Sequence, residues 1–180
     1  MMCIVLAMSV PHAFLGLLNS GPQHGYALKH LFDTRFAGGR SLKFGQVYAT
    51  LARLERDGLT KVATVEAGEG PDRKLHAITL NGMAELESWL AGTEPADQLT
   101  LGTIYTRVTV ALLTGRPASG ILEAQRQVHL AKMRELRRKA ITESVERRLS
   151  IDYLIAHLQA DLDWIELAGA RVQRVGEGRT

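Results

Sequence analysis

The chain of 180 residues holds a single cysteine, Cys3, so it can build neither an internal disulfide nor a thiolate metal cluster, and it suits a reducing compartment. A cytoplasmic location is the expectation. Its six histidines include no H-E-x-x-H pair, and no lysine follows a glycine-rich stretch as a P-loop requires. Gly68-Glu69-Gly70 lacks the third glycine and the following helix of a dinucleotide turn. His24 and His30 are six positions apart, on nearly opposed sides of a helix, where they cannot share a metal. Catalysis therefore has no visible home, and no metal or cofactor is expected. The mostly apolar stretch 1–18 has no Lys or Arg, since the first is Lys29, and it is interrupted by Ser9, Pro11 and His12, so neither a signal peptide nor a membrane span is expected. Met8 offers a second plausible start, with 1–7 expected to lie outside the packed core.

Charge of one sign is not in large excess either: 22 Lys+Arg oppose 19 Asp+Glu, so any polyanion binding has to come from local placement. What is present is a globular composition, 46% hydrophobic and 23% charged, which excludes disorder.

Ser9 followed by Pro11 reads as a helix start, and Asn19-Ser20-Gly21-Pro22 as its end. A second helix is expected over 24–36, stopping at Gly38-Gly39. The third, over 44–57, carries Val47, Leu51 and Leu54 on one stripe and ends at Gly58. Its opposite flank presents Gln46, Ala49, Thr50, Arg53 and Arg56. Strands are expected over 59–65 and 73–80, separated by the turn cluster 68–72, and then a helix capped by Thr79 with Met83, Leu86, Trp89 and Leu90 facing inward. After a linker at 92–97, helical patterns cover 99–113, 119–149 and 150–175.

Three helices followed by a hairpin is the order of a winged helix-turn-helix, in which the third helix enters the major groove. Gln46, Thr50 and Arg53 supply donors where base edges and phosphates would be met, and Arg73 and Lys74 sit beside the hairpin tip. A protein-protein adaptor with the same layout is the competing reading. Salt separates the two, because only phosphate contacts give a steep log-linear loss of affinity.

The stretch Gly21-Pro22-Gln23-His24-Gly25-Tyr26-Ala27-Leu28 and the run from Gly45-Gln46-Val47-Tyr48 through Arg53-Leu54-Glu55-Arg56-Asp57-Gly58-Leu59 resemble the signature of PadR-type transcriptional regulators. The resemblance continues through Gly70-Pro71-Asp72-Arg73-Lys74, Thr79, Gly82, Leu86 and Trp89. It implies a homodimeric regulator, usually a repressor, on double-stranded DNA at an inverted-repeat operator, often released by a small aromatic or drug-like molecule. The residues it brings to DNA are Lys43, Gln46, Tyr48, Ala49, Thr50, Arg53, Arg73 and Lys74, with Tyr48 near backbone or, equally, at the edge of the core. Two departures stand out. Ala49 can meet a base only through a thymine methyl, and His76 occupies a strand position where an aromatic is expected.

The expected architecture is mainly α: a winged helix-turn-helix domain over 1–92 (three helices plus a β-hairpin wing) and a helical dimerisation domain over 98–180. The last helix is apolar on two sides. Ile151, Leu154, Ile155, Leu158, Leu162 and Ile165 line one, and Tyr153, Ala160, Trp164 and Leu167 line the other, so it needs two partners, one of them a second copy. Tyr153, His157, Leu158, Trp164 and Trp89 are the expected seam, where the tryptophans are either simply packed or walls of an effector cavity. Arg137-Arg138-Lys139 and Arg147-Arg148 lie beside Glu135, Glu143 and Glu146, and i,i+4 pairing on a solvated face is expected for them.

Overall fold

The computed structural model describes residues 9–36, 41–66, 73–96 and 101–177. The N-terminal stretch 1–8, the Gly38-Gly39 stop, the wing tip 67–72 and part of the linker lie outside the described residues. Among the described residues ten elements follow one another: α1 (Val10–Leu18), β1 (Gln23–His24), α2 (Gly25–Arg35), α3 (Phe44–Arg56), β2 (Thr60–Glu66), β3 (Arg73–Ile78), α4 (Leu80–Ala91), α5 (Leu101–Leu113), α6 (Ser119–Ala140) and α7 (Val145–Glu177). They form two compact units, one of Ser9–Ala91 with Thr109–Arg116 and the other of Gly92–Val108 with the chain from Pro117 onward.

The first unit is a helical core closed by a small antiparallel sheet in the order β1-β3-β2. Phe14, Leu15 and Leu18 of α1, Leu28 and Phe32 of α2, Val47 and Leu51 of α3 and Leu86 of α4 are all buried. The contribution of α1 is close-packed: a Cβ on Gly16 would come within 2.7 Å of Val110 Cγ1. Ser9 does not cap α1 with its side chain. Its hydroxyl meets His12 Nδ1 instead, and the His12 ring stacks on Trp89 with centroids 4.4 Å apart.

The turn after α3 is fixed by backbone chemistry. Gly58 has φ +72°, and the N–H groups of Gly58 and Leu59 return to the carbonyls of Glu55 and Leu54 at 3.0 and 2.8 Å, which closes the helix and launches β2. The β2-β3 pairing carries one extra residue, Ala63, because Val62 faces His76 while Thr64 faces Leu75. Thr79 caps α4 as expected: its Oγ1 accepts from Gly82 N–H at 3.0 Å and donates to Gly58 C=O at 2.7 Å. Met83, expected inside, is 37% exposed, whereas Leu86 and Leu90 of the same helix are buried.

In the second unit α6 and α7 pack lengthwise. Their contact buries Met133, Leu136, Leu158 and Leu162, together with Ala96. The break between these helices falls at 141–144, not at 149–150. Ser144 C=O accepts from Arg148 N–H at 2.8 Å, opening α7 five residues earlier than hydrophobic spacing alone places it. A polar chain also runs through this unit. Gln125 exchanges hydrogen bonds with the backbone of Glu94, Arg107 donates to the Glu94 carboxylate, and buried His129 lies 3.2 Å from Asp161 Oδ2.

Candidate nucleic-acid interface

Three buried residues on one side of α3, Val47, Leu51 and Leu54, fix which side it turns outward. Lys43, Gln46, Ala49 and Arg53 are exposed and Thr50 half-buried, so these five expected contact residues are at the surface of one helix and its N-terminal residue. Two are already engaged locally. Gln46 Oε1 accepts from Lys43 N–H at 3.0 Å, and Thr50 Oγ1 donates to the Gln46 carbonyl at 2.8 Å. The first bond occupies the acceptor end of the Gln46 amide and leaves its donor end for a partner such as adenine N7 or a phosphate. Among the described residues Arg53 takes part in no ion pair, while its neighbour Arg56 pairs with Asp57 at 3.1 Å.

Tyr48 sits differently. At 53% exposure it is neither a core aromatic nor part of the Gln46-Arg53 flank, since five positions put it roughly 140° from Arg53. Its ring lies against the start of α2, where a Cβ on Gly25 would come within 2.8 Å of Tyr48 Cε1, so a larger residue there would push the ring aside. Lys74 is exposed on β3, and its carbonyl accepts from His24 Nδ1 at 3.2 Å, which ties the wing strand to β1. Arg73 pairs in register with Glu66 at the tip end of the hairpin.

The start of α3 is anchored by Asp33. Its carboxylate accepts from Lys29 Nζ at 2.6 Å, Ser41 Oγ at 2.5 Å and Leu42 N–H at 2.9 Å, which fastens α2 to the entry of the exposed helix. Burial alone raises its proton affinity, but the Lys29, Ser41 and Leu42 hydrogen bonds outweigh that and hold the carboxyl below its ordinary value. Beside them Tyr26 and Phe44 stack in the open with centroids 5.9 Å apart, and Lys29 Nζ lies 5.3 Å from the Phe44 ring centre. Periodicity did not single out this exposed pair, because each residue lies at the first turn of a different helix.

The expected seam residues divide. Leu158 is 4% exposed and packed within its own chain against α6, so it is not on a face that a second copy can meet. Trp89 stacks on His12 in the first unit, and half-buried Trp164 meets Tyr105 edge-on at 6.4 Å in the second. Each tryptophan thus has a packed ring partner in its own unit. Tyr153 is 56% exposed, with the His157 ring 4.1 Å away and His157 Nδ1 bonded to the Tyr153 carbonyl at 2.9 Å. Val145, Leu149 and Leu167 are exposed along the same side of α7. The basic run on α6 and α7 is paired in part, through Lys139 with Glu135 and Arg147 with Glu143. Among the described residues no cluster of three or more His, Cys, Asp or Glu could hold a metal, and no helix is long and apolar enough to cross a membrane.

Residues 14–88 match the Transcriptional regulator PadR-like family. The chain is 27% identical over 126 residues to the negative transcriptional regulator PadR of Bacillus subtilis (strain 168), covering 69% of each. It is 28% identical over 149 residues to a probable transcriptional regulator of Mycobacterium tuberculosis, covering 81% of this chain and 79% of that one. Among solved structures, Bacillus subtilis PadR in complex with operator DNA is similar with a TM-score of 0.45 at 21% identity, covering 89% of this chain and 98% of that one. The same protein in complex with p-coumaric acid gives 0.42 at 21% identity, covering 91% and 98%.

Proposed function

We propose that the chain, which carries a PadR-like domain over residues 14–88, is a homodimeric DNA-binding transcriptional regulator that represses from an inverted-repeat operator and is released by a small aromatic or drug-like effector. The observation that carries this reading is the α3 flank. Its polar, cationic and small residues are exposed, while the opposite side is locked into the core by Val47, Leu51 and Leu54. A helix held in that way can lie in a major groove as a rigid element, with Lys43 and Arg53 on phosphates and Gln46 and Thr50 toward base edges. Lys74 and Arg73 on β3 extend the contact to flanking backbone, and Ala49 leaves space for a thymine methyl. Repression is the sign suggested by the related negative regulator of Bacillus subtilis.

Two copies joined through α7 would bring two such helices to one side of a duplex, about 34 Å or a multiple of it apart, and the site would be a near-palindrome. Selection of bound fragments from random duplex DNA tests binding and symmetry together. An enriched inverted repeat is the expected result, and recovery of no common sequence overturns the reading. Arg53→Ala should weaken binding to the selected fragment by about 1–3 kcal/mol while leaving the melting temperature unchanged, because the side chain is exposed. Affinity that barely responds to salt would point instead to a protein partner.

A further inference from the structure

Tyr48, Ala52 and Glu55 form a second flank of α3, turned away from Arg53, and with β3 and the start of α2 they enclose a cleft of about 700 Å³. We propose that this cleft binds a small, flat heteroaromatic molecule that carries a ring N–H. Its volume lies in the range of small-molecule sites, roughly 300–1,000 Å³. The walls are apolar where a ring would rest: Leu51, Ala27, Ala52 and the bare backbone of Gly25, with the Tyr48 ring at one side. Gly25 leaves space for that ring, so a side chain at position 25 would shift the aromatic wall.

The polar groups select the ligand. Glu55 is an acceptor without an ion-pair partner among the described residues, and Lys74, also on the cleft wall, likewise takes part in none. A charged ligand of either sign that gains from one of these two groups is opposed by the other, so its net charge wins little. A neutral N–H donor bonds to Glu55 without opposing either charge. His76 also lines the cleft, is 5% exposed, and its buried Nδ1 has no hydrogen-bond partner. An unsatisfied buried polar atom of this kind marks a place where packing alone has not dictated the residue.

Ala52 and Glu55 are outside the set assigned to DNA, so binding here is independent of the DNA reading. One consequence does rest on that reading: Lys74 belongs both to the cleft and to the proposed backbone contacts of the wing, so occupancy and operator binding compete.

The test is a titration of the ¹⁵N-labelled full chain, without DNA, using indole and 1-methylindole, which share a ring system and differ in the N–H. Saturable shifts at the amides of Gly25, Ala52, Glu55 and His76 are expected with indole, and about tenfold weaker binding with 1-methylindole. Glu55→Ala, an exposed position, should bring the two probes to equal affinity, and Ala52→Phe should fill the cleft and abolish both titrations. Absence of saturable shifts, equal affinity of the two probes for the unaltered chain, or undiminished binding by Ala52→Phe would each overturn the proposal. Should Ala52→Phe fail to fold, the Glu55→Ala comparison still decides. Repeating the titration with the selected operator fragment separates the coupling from the site, because a failed operator selection leaves the probe result standing.

Discussion

His76 is placed against what its chemistry favours. It occupies the central strand, opposite Gln23 on β1 and Val62 on β2, and its Nδ1 is buried without a partner. Burial pushes its proton affinity below the ordinary imidazole value; Glu55 on α3 opposes this, while Lys74 on β3 and His24 on β1 add to it. An imidazole held neutral in the fold contributes stability at neutral pH that is lost as pH falls through the ordinary range near 6.5, where the unfolded chain takes up the proton more readily. The melting temperature should therefore fall between pH 7 and pH 5, and His76→Phe should flatten that dependence; an identical slope in the variant would place the titration elsewhere. Asp33 works in the same direction at lower pH. Its lowered carboxyl gives stability that is complete above the ordinary carboxylate range and lost as pH falls through the folded-state value. The two effects occupy separate windows and are resolved in one pH series. Sequence alone marks His76 as unusual for a strand, but the missing partner is a property of packing.

At the scale of elements, legibility followed the strength of the repeating pattern. The α3 stripe recurs over three turns, Thr79 lies one position before a helical run, and both strands of the hairpin are bounded by turn residues, so all of these were readable. The two-residue β1 has no period to detect and exists only because β3 offers it a backbone edge. The 141–144 break, Ile-Thr-Glu-Ser, holds neither Gly nor Pro, and its one start signal, Ser144, was outweighed by the hydrophobic spacing on either side. Glycines show the same division between local and tertiary causes. Gly82 lies in α4, where helix propensity favours alanine, yet a Cβ there would stand 2.1 Å from the Leu59 carbonyl oxygen, which is backbone and cannot swing away. Gly169 in α7 has nothing within 4 Å of the same added atom. Gly82→Ala should destabilise by about 2 kcal/mol or more as the α4 contact is forced apart, and Gly169→Ala should stabilise by about 0.5–1 kcal/mol. Denaturant melts of the two variants check this, and a harmless Gly82→Ala would mean that the α4 start is looser than the packing implies.

For the whole molecule, the decisive feature is the 33-residue α7 and the two sides it presents. The hydrophobic spacing predicted both sides, but it could not say which one its own chain covers. The α6 helix covers the Leu158 and Leu162 side, which leaves Val145, Leu149, Tyr153 and Leu167 exposed on the other. A row of exposed apolar residues over that length is what an interface with a second copy would bury. The two sides should thus respond differently to one kind of change. Leu158→Glu places an unpaired charge in the α6-α7 core and should cost about 3 kcal/mol or more of stability, whatever the state of assembly. Tyr153→Glu, alone or with Leu149→Glu, should leave the melting transition of each unit nearly intact while raising the dissociation constant of the proposed dimer at least about tenfold, because like charges would be brought together across its two-fold axis. Sedimentation at several concentrations, alongside thermal melts, separates these outcomes. Were the double variant to remain a dimer of unchanged affinity, the second copy would have to join elsewhere, and the operator spacing expected from an α7 junction would lose its basis.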